Sequence, residues 1–438
     1  MPKVDFVVAP RWLVPVEPAG LILEGHALAV SQGRIVSIST VEQAKAEHAD
    51  AVWLDRPHHV LIPGLVNAHT HAAMSLMRGY ADDLPLEQWL GEYIWPAEQR
   101  WVNREFVRDG ADLAVLEMIR GGTTCFQDMY MFPDEVGAVA AERGLRAVVS
   151  MIVIEAPTAW AGDVDEYLDK GLKVHDRFKD HALVKTAFGP HAPYTVSDDT
   201  IKRILTLADQ TDTCIQMHVH ETAQELADAR AAHGRRPLQR LEKLGALTSQ
   251  LNAVHMTQLE PEEIALLATR GVHVVHCPES NMKLASGICP VTDLLAAGVN
   301  VALGTDGAAS NNDLDMFGEM RSAALLAKLS SGDASGVPAA TALEMATLNG
   351  ARALRLDNEI GSLTPGKSAD MVCVSLASPA CQPVHNALSQ LVYSATRDNV
   401  TDVWVAGQPL YGDDEFLTAN AQEVCDKANG WLQRMRQN

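Results

Sequence analysis

The sequence predicts an α/β fold: a (β/α)8 barrel of the TIM type, with a small β-sandwich domain built from both chain ends. Three observations carry that expectation. From residue 61 onward, apolar runs of strand length alternate with amphipathic helical stretches. Eight such runs can be counted before residue 304. The segments before residue 58 and after residue 361 instead hold short β-rich runs punctuated by turns. The chain therefore divides into 1–58 (first part of the β domain), 59–360 (barrel) and 361–438 (second part, with a terminal helix). Its length of 438 residues fits, since α/β barrels run to about 250 residues as one unit.

Within residues 4–56, β-rich runs such as 21–23 and 35–38 are set off by turns at Gly20 and Gly33. The first barrel strand is read in 61–71, Leu-Ile-Pro-Gly-Leu-Val-Asn-Ala-His-Thr-His. The others are 123–128, 146–153, 183–188, 213–218, 251–255, 272–276 and 299–303. Between them, 134–143, 197–210, 260–269 and 314–329 show helical periodicity. A further helix is read at 338–356, then a turn-rich hinge at 361–366, Gly-Ser-Leu-Thr-Pro-Gly. The β-rich runs 369–376 and 400–410 would rejoin the early strands, and 420–436 reads as an amphipathic helix.

Composition narrows the function. Hydrophobic residues form 47% of the chain and charged residues 21%, enough apolar material for a large core. A net charge of −21 and a pI near 5.1 disfavour nucleic acid or an anionic membrane as the main partner and suit a small neutral or cationic ligand. The seven cysteines are odd in number and lack Cys-x-x-Cys spacing, as expected of thiols in a reducing compartment. With neither a basic leader followed by an apolar run nor a long apolar stretch, the expected location is cytoplasmic. The terminal helix is available to a homo-oligomer interface.

In a parallel barrel every strand's C-terminal end opens on one mouth, so polar residues there are functional candidates. His69 and His71 close the first strand and share a face by alternation, which is half of a metal site. A chance histidine pair at a strand–loop junction has the same pattern. Later strand ends supply His191, then His218, His220 and Glu221, then His255, His276 and Asp306. Three imidazoles and a carboxylate can hold a divalent ion and leave room for a water, whose pKa then falls toward about 7. His69, His71, His218 and Asp306 are assigned as the ligands, although His218 and His220 share parity and periodicity does not choose between them. Glu221 has the opposite parity and reaches the mouth only where the backbone turns. It suits proton transfer, or else simply favours the dipole of a following helix.

Asn67-Ala68-His69-Thr70-His71, His218-Val219-His220-Glu221-Thr222, His255 and Gly304-Thr305-Asp306-Gly307-Ala308-Ala309-Ser310-Asn311-Asn312 together resemble the amidohydrolase superfamily. Within it they most resemble the 5-methylthioadenosine/S-adenosylhomocysteine deaminases, over nearly the whole chain and including residues 362–374. The resemblance implies one divalent ion, zinc or alternatively iron(II), with His218 rather than His220 as ligand. It implies Glu221 as the acid/base, His255 as the residue that orients the attacking water and stabilises charge, and Asp306 as ligand and proton acceptor. Glu98, in Trp-Pro-Ala-Glu-Gln-Arg, would hold ribose hydroxyls with His191, in Gly-Pro-His-Ala-Pro-Tyr, as its partner. The implied reaction is hydrolytic deamination of the adenine ring of a small nucleoside.

One departure bears on the substrate. Where some members carry an arginine on the third strand, this chain has Ser150, and 160–169 offers no arginine. Ser150 is then a substrate neighbour, and an uncharged methylthio group suits the site better than a homocysteine carboxylate. Met74, Trp89 and Met151 are candidate lining, although large apolar residues usually pack cores. Deamination or dechlorination of another ring, guanine or a triazine, would use the same centre, and Glu98 with His191 discriminates between the readings. A binuclear site would need a bridging lysine, and Lys185 lies at the start of its strand, far from the mouth. A catalytically silent scaffold would have lost ligands, and none of the expected set is missing. His276 is expected beside the ligands, while His273 has the other parity.

Overall fold

The computed structural model describes residues 4–437. Eight parallel strands lie side by side in chain order: Leu65–Thr70, Thr123–Asp128, Arg146–Val153, Val184–Pro190, Ile215–Val219, Leu251–His255, His273–His276 and Val301–Leu303. Every residue of the second and third strands is buried, because helices cover the outside and side chains fill the inside. The helices start at polar caps: Ser197 accepts from Thr200 N before Asp198–Thr211, and Asp163 accepts from Glu166 N before Val164–Phe178. Asp198–Thr211 then buries Ile201, Ile204 and Ala208 along one face.

The eighth strand meets the first through side chains and one backbone bond. Asn67 Nδ2 donates to Thr305 Oγ1 at 2.7 Å, Thr305 N donates to Asn67 Oδ1 at 3.0 Å, and Asp306 N donates to His69 O at 3.1 Å. The approach is so close that a Cβ on Gly304 would lie 2.8 Å from His69 N, so glycine is required there.

Strands from both chain ends form a separate nine-stranded mixed sheet. Met371–Ser375 returns from the barrel and pairs antiparallel with Val52–Pro63, which itself runs parallel to Phe6–Leu13. The sheet curls until Ala406 faces Gly33, and Val8, Leu28, Ile35, Leu61, Met371 and Trp404 share one core cluster. The terminal helix Ala421–Arg436 packs against Arg104–Arg120, where Trp431 meets Phe106 edge-on. Among the described residues no helix is long and apolar enough to cross a membrane.

Two predicted elements divide in the structure. The run 61–71 splits at Gly64: residues to Pro63 belong to the end sheet, and the barrel strand begins at Leu65. A side chain at Gly64 would collide with Thr124, whose Oγ1 would sit 1.9 Å from its Cβ. The helix expected at 338–356 becomes Ala339–Met345 and Leu348–Ala353, because the Thr347 hydroxyl donates to Leu343 O at 2.6 Å and Thr347 leaves helical geometry. Between the first strand and Arg104–Arg120, short 3-10, α and π turns cover the mouth, among them Ala72–Met77, Trp89–Ile94 and Trp95–Trp101.

Barrel and sheet are also joined by a buried ion pair. Arg146, at the base of the third strand, donates from Nε to Asp370 Oδ2 at 2.9 Å and from Nη2 to Asp370 Oδ1 at 3.1 Å. The side chains are 8% and 1% exposed. Removing one partner of such a pair strands the other charge. Arg146→Met is expected to cost about 3–5 kcal/mol in denaturant unfolding. Arg203→Ala, which breaks an exposed pair with Asp165, is expected to cost no more than about 1 kcal/mol.

Candidate active site

The strand ends converge below a cleft of about 700 Å³, counted to its open mouth. His71, His191, His218, Glu221, His255 and Asp306 line its floor, and Glu98 and Tyr130 stand at one side.

Each imidazole on the floor has its outer nitrogen engaged. His71 Nδ1 meets Met129 O at 2.6 Å, His218 Nδ1 meets His191 O at 2.8 Å, and His69 Nδ1 meets Gln216 Oε1 at 2.8 Å. Those oxygens can only accept, so each Nδ1 carries a proton and each Nε2 faces inward; for His71, burial lowers the pKa but the Asp306 carboxylate outweighs it and pushes it up to about 9. His69 Nε2 lies 3.1 Å from His218 Nε2 and 3.5 Å from Asp306 Oδ1, while His71 Nε2 lies 3.2 Å from the same oxygen. The donor atoms of His69, His71 and Asp306 lie within 4.8 Å of one another, as do those of His69, His218 and His255. Converging imidazoles with one carboxylate are a donor set that fits a zinc-like divalent ion.

Asp306 adopts φ +62°, which turns its carboxylate into the floor. Burial pushes its pKa up, but the bonds to His69 and His71 outweigh that and hold it well below the usual range. Ser280 Oγ and Ser310 Oγ donate to Oδ2 at 2.6 and 2.8 Å, which fixes the carboxylate plane. Glu221 is the opposite case. Burial pushes its pKa up to about 8, the Asp306 charge adds to this, and His71 only partly opposes it. His191 is pushed down to about 3, chiefly by burial and then by His71 and His69, so it is neutral.

The structure separates the two histidines that periodicity left equivalent. His218 lies in the strand and lines the cleft. His220 has φ +55°, and the backbone turns there. Its Nδ1 lies 3.1 Å from Gln258 O and its Nε2 accepts from Leu238 N at 3.2 Å, so neither nitrogen is free for an ion. The same turn brings Glu221 into the cleft despite its parity. Glu225 holds it, accepting from His220 N at 3.2 Å and Glu221 N at 2.7 Å. His255 has φ +75°, with Nδ1 2.9 Å from Asn281 Oδ1 and Nε2 3.8 Å from Glu221 Oε2. Glu98 accepts from Tyr130 OH at 2.7 Å, and burial raises its pKa to about 7.

Two expected cleft residues lie elsewhere. Ser150 is fully buried inside the barrel, where its Oγ accepts from Gln127 Nε2 at 3.1 Å, and the cleft is lined by Ile152 of the third strand and by Ile154 just after it. Ser150 therefore sits a layer too deep to touch a ligand. Met151 points outward, and a Cβ on Gly171 of the covering helix would lie 3.0 Å from its Cβ. Met74 and Trp89 do line the cleft. Lys185 is exposed at the other end of its strand, and His276 is buried outside the cleft lining, its pKa pushed down to about 3 chiefly by burial and then by nearby His255. The sequence reading missed Tyr130, Tyr194 and Gln216. Gln216 was detectable, since it shares parity with His218 two residues on.

The amidohydrolase family profile matches residues 60–410. A 5-methylthioadenosine/S-adenosylhomocysteine deaminase of Teredinibacter turnerae is 46% identical over 99% of this chain and 98% of its own. A 5'-deoxyadenosine deaminase of Methanothermobacter thermautotrophicus is 43% identical over 94% of both chains. The crystal structure of an adenosine deaminase from Xanthomonas campestris with bound zinc is 50% identical, covers 100% of both chains and superposes with a TM-score of 0.99. With the profile spanning most of the chain and such relatives along its whole length, the protein belongs to the amidohydrolase family.

Proposed function

We propose that this protein is a cytoplasmic, metal-dependent aminohydrolase that removes the amino group of 5-methylthioadenosine and related adenosines, releasing ammonia and the inosine analogue. The observation that carries this reading is one cleft with two carboxyl groups of raised pKa and different surroundings. Glu221 faces His255 beside the cluster of imidazoles, and Glu98 stands with Tyr130 at the side. In this reading the first meets a purine ring nitrogen and the second sugar hydroxyls. Relatives named as adenosine-type deaminases support the same substrate class. Six of the seven cysteines are buried and all are free, in keeping with a reducing compartment.

In this reading His69, His71, His218 and Asp306 hold one divalent ion, zinc by preference. When bound, it supplies Lewis acidity and lets water act as a nucleophile near neutral pH. The chain's own groups do the remaining work. Glu221, protonated at neutral pH, donates to the ring nitrogen next to the amino-bearing carbon, which makes that carbon electrophilic. Asp306, kept ionised, accepts the proton lost by the attacking water. His255, oriented by Asn281, stabilises charge on the developing oxygen. Asp306 returns that proton to the amino nitrogen, ammonia leaves with the bonding pair, and the remaining hydroxyl proton passes to Glu221 as the ring carbonyl forms, restoring the acid. Glu98 and His191 position the ribose.

The cleft wall beyond these groups is apolar: Leu86, Trp89, Leu90, Met131, Ile152 and Ile154 line it, with no lysine or arginine. An alkylthio substituent gains burial there, whereas a homocysteine carboxylate would be desolvated without a cationic partner. Zinc-loaded protein is expected to release ammonia from methylthioadenosine at least about tenfold faster, by kcat/KM, than from S-adenosylhomocysteine, a difference of about 1.4 kcal/mol. Equal rates would remove the argument from the wall, and release from guanine or a triazine alone would move the assignment to another ring.

Glu221→Gln is expected to keep one equivalent of zinc while kcat falls by about two orders of magnitude or more. His69→Ala is expected to lose both zinc and rate, as read by metal analysis and ammonia release. Full zinc content in the latter would refute the ligand assignment.

Glu98 gives a pH test. Its folded pKa, about 7, lies above the ordinary 4.5, so the folded state holds the proton more tightly than the unfolded chain. The group's penalty is absent below about pH 4.5, grows between 4.5 and 7, and is full above 7. Glu98→Gln keeps the acceptor for Tyr130 and escapes the penalty. It is expected to be more stable than the parent by about 1–2 kcal/mol at pH 8, allowing for partial exposure, with the gap closing toward pH 4.5. Its KM for nucleosides is expected to rise.

A further inference from the structure

We propose that Gln216 is a positioning residue for the metal site, fixing His69 in the protonation form and orientation needed for binding, and that Gln127 and Ser150 hold Gln216 in turn. The proposal rests on the reading of His69 as a ligand.

The hydrogen-bond directions follow from one backbone oxygen. Gln216 Nε2 lies 2.8 Å from Ala68 O, a carbonyl that can only accept, so the amide nitrogen must face it. The second proton of that nitrogen goes to Gln127 Oε1 at 2.8 Å. With both protons placed, Gln216 Oε1 is the group left to face His69 Nδ1, at 2.8 Å. His69 Nδ1 therefore donates, and its lone pair lies on Nε2, on the side of His218 and Asp306. Gln127 is fixed by the same logic: its oxygen accepts from Gln216, and its nitrogen donates to Ser150 Oγ at 3.1 Å. All four side chains have 0% exposure, so no solvent competes for these bonds.

His69 depends on this chain more than the other two imidazoles depend on their partners. His71 and His218 give their Nδ1 protons to the backbone carbonyls of Met129 and His191, which no substitution at those positions removes. Only His69 leans on a side chain. Removing the Gln216 amide leaves a buried Nδ1–H without an acceptor, so the imidazole gains by rotating or by moving its proton to Nε2. Either change withdraws the lone pair from the site. Ser150, which does not reach the cleft, acts at the far end of the chain by holding Gln127 in its only useful orientation.

The test measures metal rather than turnover. Gln216→Leu is expected to raise the zinc dissociation constant by about 10–100-fold in chelator competition, and to shift the visible bands of the cobalt-substituted protein. Ser150→Ala, a small change inside an intact barrel, is expected to move both readouts in the same direction by less than about tenfold. A folded Gln216→Leu protein with parental zinc affinity and cobalt spectrum would overturn the proposal, even if its metal-free form were less stable. Should Gln216→Leu fail to fold, Ser150→Ala decides alone, and an unchanged cobalt spectrum and zinc affinity there would overturn it. Failure of the ligand reading itself is separate, since His69→Ala would then keep its zinc.

Discussion

The site depends on the closure of the barrel between its eighth and first strands. The bond from Asp306 N to His69 O places the floor's ionised carboxylate beside the imidazoles of a strand far away in sequence. Nothing local in the sequence around Asp306 would produce that contact. It requires a glycine at 304, where a Cβ would strike His69, and a second clasp between Asn67 and Thr305. The motif residues flanking the histidines and the aspartate are thus structural in origin: they bring two backbones close enough for the chemistry of their neighbours to combine.

Bringing so many ionisable groups together in a buried floor has an electrostatic cost, and the fold answers it by separating their protonation states. Asp306 is ringed by donors and stays charged, whereas Glu221, a short distance away, has burial acting on it and the Asp306 charge beside it, and so keeps its proton. Two carboxyl groups of similar intrinsic acidity thereby take opposite protonation states through environment alone. Burial keeps His191 and His218 neutral, whereas for His71 the Asp306 carboxylate outweighs burial and pushes the pKa up to about 9.

Much of this was legible in the sequence because a strand has a period of two and a parallel barrel has one functional end. His69 and His71 could be paired by parity, and the regular fall of His191, His218, His255 and Asp306 at strand ends marked the mouth. Parity failed where the backbone left the strand. It could not separate His218 from His220, because the distinction is made by a turn at φ +55°. It could not set depth either: Ser150 and Ile152 share a face, and only the stagger of the third strand decides that Ile152 reaches the cleft. The run through Pro63 and Gly64 looked continuous because hydrophobicity does not record which sheet a strand joins. The short turns over the mouth have no sustained period, so their contribution of Trp89 and Leu90 had no signal beyond composition.

Turns at the strand ends of the site also carry backbone strain. His220, His255, Met256 and Asp306 all have positive φ, a conformation that costs non-glycine residues roughly 1–3 kcal/mol each. Each is held by bonds made elsewhere: Glu225 grips the amides of His220 and Glu221, Asn281 meets the His255 ring, Met256 N donates to Val219 O, and two serines meet Asp306. Relaxing His255 or Asp306 to an ordinary strand conformation would return its side chain to the strand's alternation, and relaxing His220 would do the same to Glu221. The helices and sheets supply the stability that tolerates this strain, and the strained turns convert eight parallel strand ends into a single floor.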